Sequence, residues 1–217
     1  MVTLEKITKS FGGNTVLKDL SLTLERGEFA ALLGPSGSGK TLLLAVIAGL
    51  EAPTSGRVLI GGVDQTRTPP ERRPVTMVFQ RHALFQHMTA FENIAFSMRA
   101  RRLPRATVQA RTEELLALVG LDACAAMKPD VLSGGQCQRV AFARALAADA
   151  DVLLFDEPLN SLDADLKASL IAELKRLHAL TGFTALYVTH DRDEATAFGG
   201  RTFRIASGSI RDAEEAM

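Results

Sequence analysis

Phe29–Leu50 reads FAALLGPSGSGKTLLLAVIAGL: five apolar residues, a glycine-rich loop, then a second apolar run. A continuous apolar pentapeptide suits a strand buried on both faces, and the run after the loop reads as a helix through Gly49. Strand, loop and helix in that order make a phosphate binder. Glycines let backbone N–H groups close around an anion, and the helix N-terminus adds partial positive charge. Further apolar runs, at 75–79, 152–156 (VLLFD) and 184–189 (TALYVT), alternate with helical segments. That alternation predicts an α/β core built on a mainly parallel sheet.

Around this core the chain shows other textures. Residues 2–7, 21–25 and 57–61 read as short strands between the turns FGGN, ERGE and IGGVD, as in an antiparallel β layer. Segment 90–120 is helical, with Val108, Leu115, Leu116 and Val119 on one face. SLDADLKASLIAELKRLHAL, from Ser161, is an amphipathic helix carrying Leu166, Leu170, Leu174 and Leu177. One short strand region is expected at 202–211. The organisation expected is one domain over 1–217, with a helical insertion at about 81–130.

Composition excludes several classes. The 217 residues suffice for one sizeable core, and 47% hydrophobic content excludes disorder. Twenty-five Lys+Arg balance 25 Asp+Glu, which argues against broad electrostatic attachment to nucleic acid. Two cysteines, Cys124 and Cys137, make neither a disulfide framework nor a zinc site. Glu5 interrupts what would be the apolar part of a signal peptide. The longest apolar stretch, Leu42 to Leu50, falls short of the roughly 20 residues that span a bilayer. The chain therefore reads as soluble, serving a membrane only through a partner.

Three motifs carry the chemistry. Gly34-x4-Gly39-Lys40-Thr41 has the Walker A pattern in its required setting, which makes the core a P-loop NTPase. Its backbone (Gly34, Pro35, Ser36, Gly37, Ser38, Gly39) would ring the β-phosphate of ATP. Lys40 would reach the β- and γ-phosphates, and the Thr41 hydroxyl would bind Mg²⁺. VLLFDEP places Asp156 at the C-terminal end of a buried strand, where it would hold Mg²⁺, and Glu157 beside it to polarise the attacking water. The third motif, LSGGQCQRVAFARAL (Leu132–Leu146), is a second Ser-Gly-Gly turn feeding a helix, and raises the question of whose phosphate it holds.

Together these motifs resemble the nucleotide-binding subunit of ATP-binding cassette (ABC) transporters over nearly the whole chain. LSGGQ matches the family signature, Gln80 in MVFQ the Q-loop glutamine near Mg²⁺ and the γ-phosphate, Ser161–Asp163 the D-loop, and His190 in YVTHD the switch histidine. Phe11 stands where the family stacks an aromatic ring on adenine, and Val16 and Leu42 join the nucleotide-binding set by the same resemblance. Glu157, His190, Lys40 and Gln80 are then the candidate catalytic residues, and Thr41, Gln80 and Asp156 the candidate metal ligands. The resemblance also answers the question of the second loop. Two copies would meet head to tail, so that Ser133, Gly134, Gly135 and Gln136 of one hold the γ-phosphate bound by the other, with Asp163 at the same junction.

Gln80 to Phe96, QRHALFQHMTAFENIAF, resembles the segment that receives the coupling helix of membrane permease subunits in importers. GGVDQTRTPPERRPVTMVFQ strengthens the likeness to the importer group for polyamines, sulfate or molybdate, iron(III), thiamine and sugars. The resemblance implies an ATPase on the inner face of the plasma membrane, working with permease subunits and a solute-binding protein and without nucleic acid. An exporter motor or an envelope-remodelling ATPase is the alternative. Arg99, Arg101, Arg102 and Arg105 read as a solvated basic face. The chain departs from the family at Leu42, where a hydroxyl is usual, which implies weaker nucleotide affinity. Gly200 replaces a common acidic residue. The end of the chain soon after 211 implies no C-terminal regulatory domain.

Overall fold

Among the residues that the computed structural model describes (1–79, 83–160 and 162–212), ten strands form two sheets. The chain divides into two compact units. The first comprises Met1–Met77, Asp151–Glu157 and His178–Met217, and the second Val78–Ala150 and Pro158–Leu177. The segment 81–130 thus falls within the second unit.

In the first unit, β1 (Val2–Phe11), β2 (Asn14–Leu24), β4 (Ser55–Ile60) and β5 (Val63–Asp64) form an antiparallel sheet in the order β2-β1-β4-β5. The larger sheet runs β10-β9-β3-β8-β7-β6, from β3 (Phe29–Leu33), β6 (Val75–Val78), β7 (Val152–Asp156), β8 (Thr184–Thr189), β9 (Thr202–Ala206) and β10 (Ser209–Asp212). The three continuous apolar runs become its centre: β3 pairs parallel with β8, and β8 with β7, and every residue of all three is buried. The expected single strand at 202–211 is instead an antiparallel hairpin, because Ser207 and Gly208 both take positive φ and fold the chain back.

Helix α1 (Lys40–Ala48) follows the phosphate loop, and its Leu43, Leu44, Val46 and Ile47 enter one apolar core shared with both sheets. At its far end Arg73 acts as a clasp. Its guanidinium donates to the carbonyls of Val46 and Ile47 (both 2.8 Å), Thr68 (2.8 Å) and Thr66 (3.1 Å), so the last turn of α1 is capped by a side chain from the segment before β6.

The second unit is helical: α2 (Ala90–Ala100), α3 (Arg105–Leu118) and α4 (Gly134–Ala147) pack on one another, and α5 begins at Ala164 and runs to Thr181. Segment 90–120, expected to be helical, consists of two helices. Arg102 takes φ 59° and Pro104 precedes α3, so the chain breaks where proline cannot continue a helix. Of the apolar positions expected on the inner faces, Val108, Leu115, Leu116 and Val119 are buried, as are Leu170, Leu174 and Leu177 along α5, while Leu166 is half-buried. No helix among the described residues is long and apolar enough to cross a membrane.

Candidate functional site

In the first unit, the phosphate loop lies between β3 and α1, and β7 delivers its two acids beside it. Gly37 and Gly39 take φ 78° and 100°, and a Cβ on Gly39 would sit 2.9 Å from Leu17 and 3.5 Å from Val16. The loop can therefore close only with glycine there, and Val16 lies against it. Lys40 is 4% exposed, and its ammonium donates to the carbonyls of Gly34 (2.7 Å) and Pro35 (3.0 Å) and contacts Glu157 Oε1 at 3.3 Å. The Ser38 hydroxyl is buried without a hydrogen-bond partner among the described residues, as expected of a cradle shaped for a polar ligand.

Thr41 Oγ1 donates to Asp156 Oδ1 at 3.0 Å, bringing together two of the three candidate metal ligands. Burial pushes the Asp156 carboxyl above the ordinary aspartate range, the charge of Glu157 adds to this, and the Thr41 hydroxyl opposes it. A desolvated carboxylate next to a threonine hydroxyl suits a hard cation with oxygen ligands, and the residues present fit Mg²⁺. Gln80, the third, lies outside the described residues, as does Ser161.

Glu157 bridges Lys40 and His190. Its other oxygen, Oε2, lies 3.2 Å from His190 Nδ1, and its backbone takes φ 44°, a region that side chains other than glycine enter at a cost of about 1 kcal/mol. The strain is held by a hydrogen bond from Glu157 N to Val188 O at 3.0 Å. At the edge of the same unit Phe11 is 48% exposed rather than buried, and the ammonium of Lys9 sits 4.7 Å from its ring centre, anchored by Glu51 at 2.9 Å. An exposed ring with a cation over it is not a core residue.

The second unit holds the other loop. Ser133 is the N-cap of α4: its hydroxyl accepts from Gln136 N (3.2 Å), and Gln136 Oε1 accepts from Ser133 N (2.9 Å). Ser133 and Gly134 are exposed, while a Cβ on Gly135 would come within 2.7 Å of Leu166. In this state Gln136 closes the capping box. Asp163 accepts from Leu166 N at 3.0 Å, capping α5. Cys137 is buried and its thiol is pushed up by burial, which makes it a packing residue.

Both departures in the first unit have physical readings. Leu42 packs its side chain against the apolar core, so only its backbone is offered to a phosphate. A Cβ on Gly200 would stand 2.0 Å from the carbonyl oxygen of Phe29 in β3, so the backbone leaves no room for the acidic side chain.

Three features escaped sequence reasoning: the Arg73 clasp, Lys9 over Phe11, and a buried carboxylate, Glu194, behind His190. Lys9 alone had a local signal, two residues before Phe11 on the same face of β1.

A family model described as "ABC transporter" matches residues 17–160, a span that includes the phosphate loop, the second Ser-Gly-Gly loop and the Asp156–Glu157 pair. The chain is 51% identical over 209 residues to the Fe(3+) ions import ATP-binding protein FbpC 1 of Rhizobium meliloti (strain 1021), covering 96% of this chain and 59% of that protein. It is 47% identical to the spermidine/putrescine import ATP-binding protein PotA of Thermotoga maritima, covering 96% of this chain and 57% of that protein. The chain thus spans less than two thirds of the length of these relatives. Among solved structures it resembles a dimeric post-hydrolysis state of the ATP-binding cassette MJ0796 bound to ADP and Pi, with TM-score 0.84, 34% identity, and coverage of 98% of this chain and 97% of that one. With the motifs, the two-sheet architecture and the sequence likeness all in agreement, the chain belongs to the ABC transporter family.

Proposed function

We propose that this chain is the ATP-hydrolysing subunit of an ABC importer, peripheral on the cytoplasmic face of the membrane and acting as a head-to-tail pair with a second copy. The observation that carries the reading is the chain's possession of two phosphate-binding loops, the first of which, Walker A, has the acids Asp156 and Glu157 and the cation Lys40 beside it. The signature loop offers an exposed helix N-terminus, capped by Ser133. One loop holds and works on the nucleotide; the other closes over a neighbour's.

Lys40 binds the β- and γ-phosphates, exchanging its contact with Glu157 for them. Thr41 and Asp156, with Gln80, would hold Mg²⁺, whose charge offsets that of the phosphates and orients them. Glu157 accepts a proton from the attacking water, and His190 fixes the direction of that carboxylate from 3.2 Å. Phe11 and Val16 receive the base. Hydrolysis breaks the bond between the γ-phosphate and the rest of the nucleotide, so the link that joins the two copies is cut and the pair opens.

The partner surface would lie on the second unit. Asn93, fully buried, ties the segment before α2 into one shape: its amide donates to the carbonyls of Phe85 (3.1 Å), Met88 (3.2 Å) and Thr89 (3.0 Å) and its oxygen accepts from Phe85 N (2.8 Å). Leu84 is buried, and Phe85 packs against an exposed Phe96 with ring centres 4.5 Å apart and planes tilted by 44°. A preshaped apolar surface of this kind suits an apolar helix end from a permease subunit. The iron(III) and polyamine relatives are importers by name, and a solute-binding protein would deliver the solute.

The test is Ser133→Arg in a Glu157→Gln background, measured by light scattering and nucleotide affinity. Glu157→Gln alone is expected to accumulate as an ATP-dependent dimer, and Ser133→Arg to prevent it while ATP still binds through Lys40. Loss of ATP binding in a folded Ser133→Arg monomer would show that both loops serve one nucleotide.

A further inference from the structure

His190 follows the last residue of β8 and its side chain is 45% exposed, so little in its immediate surroundings fixes its height above Glu157. The residues around it are fixed. Tyr187, with no exposed surface, donates its hydroxyl to Glu194 Oε2 at 3.0 Å, and Thr189 donates to the same oxygen at 2.8 Å. Thr189 Oγ1 in turn accepts from Asp191 N at 3.0 Å, and Asp191 Oδ1 accepts from the N–H groups of Asp193 (2.9 Å) and Glu194 (3.4 Å). The chain thus loops from Thr189 through His190 and Asp191 into helix α6 (Arg192–Ala197) and returns to Thr189 through Glu194.

Glu194 is only 4% exposed. A carboxylate in that position carries a desolvation cost of several kcal/mol, which hydrogen bonds must offset. Closing a six-residue helix onto a strand does not require one, since Ala195 packs beside Ala31 and Leu33 in an apolar contact at the same place. What the carboxylate adds is direction. A single oxygen gathers hydroxyls from two positions of β8, and the farther of them, Thr189, immediately precedes His190.

We propose that Glu194 is a positioning residue for hydrolysis: it locks the turn Thr189–Asp191 so that His190 Nδ1 is held at hydrogen-bond distance from Glu157. The inference rests on the reading that His190 takes part in hydrolysis. A free imidazole at the strand end would sample other rotamers, and misplacing an orienting group by about 1 Å is enough to lower a rate by tenfold or more.

The experiment is steady-state ATP hydrolysis by the full chain, with Glu194→Leu and Glu194→Gln made alone and in a His190→Ala background. Glu194→Leu is expected to lower kcat about tenfold at unchanged KM for ATP. Glu194→Gln, which keeps an acceptor oxygen, should retain more than half the rate. In the His190→Ala background Glu194→Leu should cause no further loss. An equal loss in that background, or a change in KM with kcat intact, would mean that Glu194 only supports the fold and overturns the inference. Normal hydrolysis by His190→Ala overturns the role of His190 and the inference with it, whereas an impaired His190→Ala beside an unimpaired Glu194→Leu overturns the inference alone. Should Glu194→Leu not fold, Thr189→Val removes one donor and leaves the carboxylate. Nitrogen-15 histidine spectra of that variant should then show the His190 ring signals displaced and those of His178 unmoved; unmoved His190 signals refute the positioning role.

Discussion

Glu157→Gln changes one oxygen for an amide nitrogen and should separate binding from chemistry. In the structure the carboxylate touches Lys40 at 3.3 Å and His190 at 3.2 Å, so it is both the base for water and a competitor for the cation that binds phosphate. As a general base it contributes about 10²–10⁴ in rate. At about 1.4 kcal/mol per tenfold, its loss raises the barrier by about 3–5 kcal/mol. The competition works the other way. Hydrogen bonds to charged partners are worth about 1.5–3 kcal/mol and neutral ones about 0.5–1.5, so replacing carboxylate by amide weakens the contact that ATP must displace by about 1 kcal/mol. That corresponds to roughly fivefold tighter ATP binding. Phosphate release measures the first effect and titration with a fluorescent ATP analogue the second. A rate within threefold of the parent refutes the assignment of Glu157 as base. Weaker binding refutes the competition between carboxylate and phosphate for Lys40.

Leu42→Thr is expected to lower the melting temperature by about 2–4 °C, the equivalent of about 1 kcal/mol of lost packing in a chain of this size, and to leave ATP affinity within twofold. Fivefold tighter binding would show that the hydroxyl reaches the phosphate after all. Gly200→Asp should destabilise by about 2 kcal/mol or more, because its Cβ would meet the Phe29 carbonyl at 2.0 Å; a thermal melt unchanged from the parent refutes the clash. Asp156→Asn should abolish hydrolysis yet raise the melting temperature of the nucleotide-free protein at pH 8. Because burial holds the folded carboxyl above the ordinary aspartate range, the protonated form is favoured by folding, and that stability is lost as pH rises through the folded value. The advantage of the asparagine variant should therefore shrink as pH falls into the range where the buried carboxyl takes up its proton, and an advantage that is constant with pH refutes burial as the cause.

What could be read in the sequence was whatever rests on backbone chemistry. Gly34 to Thr41 and Ser133 to Gln136 are legible because a loop that wraps phosphate needs N–H groups and glycines in consecutive positions. The buried strands at 29–33, 152–156 and 184–189 are legible because a parallel strand covered on both faces is apolar along most of its length, with polar residues confined mainly to its ends. The break before α3 was written in the chain at Pro104, and the apolar face named in the sequence, Val108 to Val119, lies wholly beyond it. Arg73 and Glu194 were not legible. Arg73 reaches carbonyls 26 and 27 residues away, and the preceding Arg72 looks identical in sequence. Leu42 shows the limit of reasoning by substitution: a missing hydroxyl says nothing of where the new side chain packs.

The Arg73 clasp has a mechanical consequence. Helix α1 is nine residues, about 13 Å, and carries Lys40 at one end and the clasped carbonyls of Val46 and Ile47 at the other. Two residues beyond Arg73 the chain enters β6, which leads to the segment of Gln80. A tug on that strand therefore reaches the lysine through a stiff rod instead of dissipating in a loose loop. The fastening also constrains the chain's history. A Cβ at position 49 would lie 2.4 Å from Arg73 Nε, and Gly49 takes φ 81°, so the arginine and the backbone each hold that position to glycine.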